Sequence, residues 1–160
     1  MQILWIRHGK TLGNVQRRYV GRTDEGLTDE AKLCLQKKQV LMRDLCVQTE
    51  GGRNPGKWYH AGAFVPDYVY SSPMMRCRET AEILFPGQVL CVQEGLQETD
   101  FGDFEYKNYE ELKENPAYQA WIDSGGQMMV PNGESGAGFR HRCCRAYEQC
   151  VRDAQEKGAQ

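Results

Sequence analysis

Arg7-His8-Gly9, followed closely by Thr11 and Asn14, is a set of residues that could carry phosphoryl chemistry. A neutral imidazole is a nucleophile toward phosphorus, and the phosphohistidine it forms can be hydrolysed in a second step. Such transfer needs the charge on the non-bridging oxygens to be held. Arg7 offers a planar fork of donors, Asn14 an uncharged donor, and Gly9 would keep a side chain out of the phosphate's way. Alone, the tripeptide is a weak signal, and a strand-end histidine in an ordinary hydrogen bond is the commoner reading. Two further segments add to it. Tyr70-Ser71-Ser72-Pro73 leads to Arg76, a second guanidinium in the first turn of a helix, where free N–H groups and the dipole favour anions. The alternative there is a solvated helix arginine. Leu96 to Gly102 sets Glu98 and Asp100 beside Phe101 and Gly102. A carboxyl group partly screened from water has a raised pKa and can protonate a leaving alkoxide; the alternative is a surface acid in an acidic loop.

These residues need a frame. Ile3 to Ile6 is a short continuous apolar run, the pattern of a strand buried on both faces. Gly9 would turn the chain at that strand's carboxyl end, where ligands sit in open α/β sheets. Thr28 caps a helix with Asp29 and Glu30 in its first turn and an apolar stripe of Ala31, Leu35, Met42, Leu45 and Cys46, reaching about Val47. Residues 49–66 form a polar, glycine-rich loop with no assignable role. Tyr68 to Tyr70 is a second strand. Ser72 is the expected N-cap of a helix with Pro73 at its first position, running to Leu84. Gln88 to Val92 is a third strand, 108–115 and 116–123 are short helices, and a last helix runs from Glu134 to about Gln155. The order is α/β, predicting a three-layer α/β/α sandwich with a mostly parallel sheet over one domain, 1–160. The sheet is expected to be incomplete at the C-terminus, because the chain finishes on a helix and a polar tail.

Composition narrows the rest. A net charge of −2 with 26% charged residues excludes a polycationic coat, so neither nucleic acid nor a membrane surface is an expected partner. No eighteen-residue apolar window exists and no secretory signal opens the chain, which predicts a cytoplasmic protein. Seven cysteines, an odd number without a CxxC pair, read as reduced thiols, and no zinc or magnesium ligand set is visible, so no metal or cofactor is expected. Leu, Val, Ile and Phe number 30 of 160 residues, about 19%, low for a globular chain. With ordinary aromatic content and little net charge, this is a folded domain short of aliphatic core.

Taken together, the segments resemble the histidine phosphatase superfamily in its phosphoglycerate mutase-like branch. The Arg-His-Gly-x-Thr-x-x-Asn motif stands as Arg7 to Asn14, Gly-x-x-Asp-x-x-Leu-Thr as Gly21 to Thr28, and Ser-Ser-Pro-x-x-Arg-x-x-x-Thr-Ala as Ser71 to Ala81. Leu-x-Glu-x-x-Phe-Gly stands as Leu96 to Gly102, and Pro131-Asn132-Gly133-Glu134-Ser135 is similar to a stretch of the α-ribazole phosphatase-like group. The resemblance implies that His8 is the phosphorylated nucleophile, that Arg7, Asn14 and Arg76 grip the phosphoryl group with Gly21 lining the pocket, and that Glu98 donates and then removes the proton. It implies a phosphatase acting on a small phosphorylated metabolite. A non-catalytic phosphate-binding module and mutase-type phosphoryl transfer are the alternatives.

Four departures stand out. Lys10 replaces the common acid after Arg-His-Gly, Tyr106 stands where a glycine is frequent, and Ala31 replaces a frequent glycine. The fourth is the family's second histidine, in a His-Gly pair on a later strand next to the one bearing the nucleophile. The chain holds only His8, His60 and His141, and neither of the last two precedes a glycine or ends a strand. A chain truncated before that strand would lose one donor, at about 10²–10³ in rate, and a second copy could complete the open sheet edge as a homodimer.

Overall fold

The computed structural model describes residues 1–44 and 65–159. In chain order it contains α1 (Leu12–Val15), α2 (Asp29–Asp44), β1 (Val69–Ser71), α3 (Met75–Leu84), β2 (Leu90–Val92), α4 (Tyr109–Leu112), α5 (Pro116–Asp123) and α6 (Gly136–Glu156). Single 3-10 turns lie at Glu94–Leu96 and Gly102–Phe104. β1 and β2 pair in parallel, Val69 opposite Leu90, Tyr70 opposite Cys91 and Ser71 opposite Val92. A parallel pair needs a crossover, and α3 supplies it.

Successive side chains of a strand face opposite sides, and β1 uses both. Val69 joins the core formed by Leu27, Ala31 and Leu35 with Leu84 and Phe85. Tyr70 faces the other way, its hydroxyl donating to the Asp153 carboxylate on α6. Helices therefore cover both faces of the small sheet, and the expected α/β layering with parallel pairing is present. A second core of Phe104, Leu112, Tyr118 and Val130, flanked by Tyr19, Phe101 and Trp121, organises the stretch from 100 to 130.

The helix starts follow local chemistry with one exception. Thr28 Oγ1 accepts the Ala31 N–H at 3.2 Å, as a capping residue should. Of the stripe expected for that helix, Ala31 and Leu35 are buried, while Leu45 and Cys46 lie outside the described residues, as does most of the 49–66 loop. α3, however, begins at Met75 and not at Pro73. Ser72 Oγ accepts the Met74 N–H at a long 3.4 Å, whereas Asp24 Oδ1 accepts the Met75 N–H at 2.6 Å. The cap comes from a loop fifty residues away, which overrides the local Ser-Pro signal.

The expected strand at Ile3 to Ile6 is the larger correction. These residues make no ladder, and their side chains are exposed, from 41% for Ile6 to 69% for Trp5. A strand exists through its neighbour. Here residues 1–6 line a cleft of about 500 Å³ together with β1 and residues of α6, and they form no ladder with another strand among the described residues. Trp5 packs on Tyr147 of α6, ring centroids 5.0 Å apart, and Gly9 beyond the segment is held by α3.

Candidate active site

The residues around His8 are positioned by short-range hydrogen bonds. Thr11 is the N-cap of α1. Its Oγ1 accepts the Asn14 N–H at 3.3 Å, while Asn14 Oδ1 accepts the Thr11 N–H at 3.2 Å. This reciprocal capping box explains the Thr-x-x-Asn spacing. It also has a chemical consequence: with Oδ1 engaged, the amide nitrogen of Asn14 is the free end, and Asn14 borders the same pocket as His8.

His8 is half-buried. Its Nδ1 lies 2.7 Å from the Gly9 carbonyl oxygen, which can only accept, so Nδ1 carries the proton and Nε2 the lone pair. Gly9 in turn donates its N–H to Thr80 Oγ1 at 3.0 Å, and that hydroxyl donates to the Arg76 carbonyl at 2.7 Å. A Cβ on Gly9 would meet Leu27, Leu35 and Ala31 at 3.1–3.3 Å. The glycine therefore makes room for the core under α2, and not for phosphate as its position in the sequence suggested.

Burial holds the His8 pKa below its ordinary value, and the charges of Arg76 and Arg7 push in the same direction. The Gly9 carbonyl and the Glu98 charge oppose this without reversing it. The imidazole is thus neutral and nucleophilic at neutral pH, with Arg7, Arg76 and Glu98 close enough to act on it electrostatically. A pocket of about 470 Å³ is lined by Arg7, His8, Lys10, Asn14, Arg17 and Arg18. Arg7 and Lys10 are exposed side chains with no ion pair among the described residues.

Arg76 is not the solvated helix arginine that its type would allow. It is 2% exposed, on the buried stripe Arg76, Thr80 and Leu84 of α3. Its guanidinium donates to the carbonyls of Thr23 and Gly21, both at 2.9 Å, and of Val20 at 3.4 Å. Gly21 is buried between two partners. Its N–H donates to Glu105 Oε1 at 2.9 Å, and a Cβ would come within 2.0 Å of the Thr99 carbonyl. Gly21 borders neither cleft; it lets the 20–23 loop close over Arg76.

Glu98 is exposed, and its Oε1 accepts the Thr99 N–H at 2.8 Å. Arg142 on α6 fixes the backbone around it. Its Nη1 donates to the Gly95 and Gln97 carbonyls, both at 3.0 Å, its Nη2 lies 3.4 Å from the Glu98 carbonyl, and Glu134 pairs with it at 2.7 Å. The Pro131 to Ser135 stretch locks the same loop: Glu134 N–H donates to the Asp100 carbonyl at 2.9 Å, and Ser135 caps α6. His141 is exposed on α6 and borders neither cleft, and His60 lies outside the described residues.

The structure thus gathers His8, Arg7 and Asn14 on one pocket, whereas Arg76 and Glu98 line neither that pocket nor the larger cleft and reach His8 through their charges. Glu105 and Arg142 belong to none of the quoted motifs, and Thr80 enters only as the threonine of the Ser71 to Ala81 motif. The roles of all three are tertiary.

Comparison with known proteins supplies the context. The family described as Histidine phosphatase superfamily (branch 1) matches residues 56–159. An Erwinia tasmaniensis protein named "Probable phosphoglycerate mutase GpmB" is 26% identical over 155 residues, covering 94% of this chain and 63% of that protein. The adenosylcobalamin/alpha-ribazole phosphatase of Escherichia coli K12 is 27% identical over 146 residues, covering 89% of this chain and 63% of its own length. The chain therefore spans less than two thirds of these relatives. The crystal structure of the alpha-ribazole phosphatase from Shigella flexneri superposes with a TM-score of 0.72 at 24% identity, over 97% of this chain and 68% of that one, a likeness of fold. No helix among the described residues is long and apolar enough to cross a membrane.

Proposed function

The chain belongs to the histidine phosphatase superfamily (branch 1), and from that premise we propose that it hydrolyses a small phosphomonoester in the cytoplasm through a phosphohistidine on His8. The observation that supports this most directly is the hydrogen bond from His8 Nδ1 to the Gly9 carbonyl, which leaves the Nε2 lone pair free beside Arg7 and Asn14. In the first step Nε2 attacks phosphorus and the ester oxygen leaves, taking a proton from the Glu98 carboxyl. In the second, Glu98 carboxylate takes a proton from water, which attacks the phosphohistidine; inorganic phosphate leaves and His8 is restored. Arg7 and the Asn14 amide hold the non-bridging oxygens, and burial, aided by the Arg76 charge, keeps the imidazole neutral.

Phosphoryl transfer to a second hydroxyl, as in a mutase, uses the same first step. The two are separated by supplying the protein with a phosphate ester and a polyol acceptor. Release of inorganic phosphate that depends on His8 supports hydrolysis, and phosphate recovered on the polyol supports transfer. Neither product, with measurable phosphate binding, would leave a binding module in place of an enzyme. That last reading has one point in its favour: Glu98 is exposed, and one carboxyl oxygen is occupied by its own neighbour's N–H.

A further inference from the structure

The His8 pocket carries more positive charge than one phosphoryl group requires. Four of its six lining residues are permanent cations: Arg7, Lys10, Arg17 and Arg18. Arg18 is already neutralised, its Nη1 lying 2.8 Å from Glu111 and bonded to the Tyr106 carbonyl. Arg7, Lys10 and Arg17 have no ion pair among the described residues, and no acid lines the pocket. The whole chain is net negative, so this is a local concentration of charge. Arg7 adjoins the nucleophile and is accounted for by the transferred phosphoryl group. Lys10 and Arg17 are not.

Arg17 is held in place by the exit of α1. Its φ is 56°, the left-handed conformation that glycine usually supplies one residue beyond a helix end. The Arg17 N–H donates to the Asn14 carbonyl at 3.2 Å, and the Arg18 N–H reaches back to the Gly13 carbonyl at 2.8 Å. The turn brings Arg17, an exposed side chain, to the lining of the His8 pocket. Lys10 lines the same pocket, its carbonyl accepting the Thr28 N–H at 2.9 Å.

We infer that Lys10 and Arg17 form a second anion subsite, so that the substrate carries a further anionic group, phosphate or carboxylate, on the portion that leaves. This rests on the proposed phosphoryl transfer at His8 for its catalytic meaning, but it can be tested by binding alone. The probes are methylphosphonate, propane-1,3-bisphosphonate and 4-phosphonobutyrate, none of which can be hydrolysed, titrated into the whole chain by calorimetry. Wild type should bind at least one of the doubly anionic probes about tenfold or more tightly than methylphosphonate. In Lys10→Gln/Arg17→Gln, which alters two exposed side chains without an ion pair among the described residues, that advantage should fall to within about threefold. Preference for the bisphosphonate identifies a second phosphate; preference for the carboxylate probe identifies a second carboxylate. An advantage that is missing in wild type, or that survives intact in the double variant, overturns the inference. Binding preference without any turnover would retain the subsite and remove the enzymatic reading instead.

Discussion

Thr80 Oγ1 accepts the Gly9 N–H at 3.0 Å, and this bond ties the backbone that carries His8 to the helix that carries Arg76. It matters because residues 3–6 have no strand partner among the described residues. The nucleophile is fixed from α3, through a hydroxyl that is itself anchored on the Arg76 carbonyl.

Replacing Thr80 by Val keeps the shape and removes the acceptor. The Gly9 N–H is then left unpaired, at a cost of about 1–3 kcal/mol. Thr80→Val is expected to lower the denaturation midpoint and to slow phosphorylation of His8 at least about tenfold. Thr80→Ser should stay near wild type in both, which a chemical denaturation series and a labelling time course will check.

Gly21 has no room for a side chain. A Cβ would lie 2.0 Å from the Thr99 carbonyl and 2.8 Å from Glu105 Oε2. Gly21→Ala must push the 20–23 loop off Arg76, with a predicted loss of roughly 1–3 kcal/mol. The midpoint of urea unfolding measures it, and an unchanged midpoint would mean that this loop is not clamped as described.

Glu98→Gln separates the two proton transfers by leaving group. With an alkyl phosphate the loss should be about 10²-fold or more, since an alkoxide must be protonated. With p-nitrophenyl phosphate, whose leaving group is stable as an anion, the formation of phosphohistidine should be much less affected. A loss under about tenfold on the alkyl ester would assign the proton to another acid.

His8 also links stability to pH. Its folded pKa lies below the unfolded value of about 6.5 because of burial and then the Arg76 and Arg7 charges. Above pH 6.5 both states are neutral and the group contributes nothing. As pH falls below 6.5 the unfolded chain takes up the proton first, so folding stability drops until pH passes the folded pKa. Wild type should lose stability over this window relative to His8→Ala, and the rate of His8 phosphorylation should hold up to pH values below 6.5. Parallel unfolding curves for the two proteins across that range would contradict it.

What the sequence made legible was the chemistry fixed by local spacing. The Thr11–Asn14 capping box is four residues long, so the motif itself dictates where the Asn14 amide points. The Thr28 cap and the short helices near Asn108 and Asn115 are local in the same sense. Decisions made by distant partners were hidden. Ser72-Pro73 is a sound helix start, but Asp24 offers a shorter bond at Met75. Ile3 to Ile6 has a strand's composition, but composition does not provide an adjacent edge. Arg76 was readable as a cation near phosphate; that it sits 2% exposed on three carbonyls depends on how the 20–23 loop closes over α3.

The most direct test of the central claim is to trap the covalent intermediate. The protein is mixed with a phosphoramidate or acyl phosphate donor, quenched in alkali and digested, and the modified residue is located by mass spectrometry. An alkali-stable, acid-labile phosphate on the peptide containing His8, on Nε2 by phosphorus NMR and absent from His8→Ala, is the predicted result. No label on His8 at millimolar donor, or equal labelling of His8→Ala, would contradict the account.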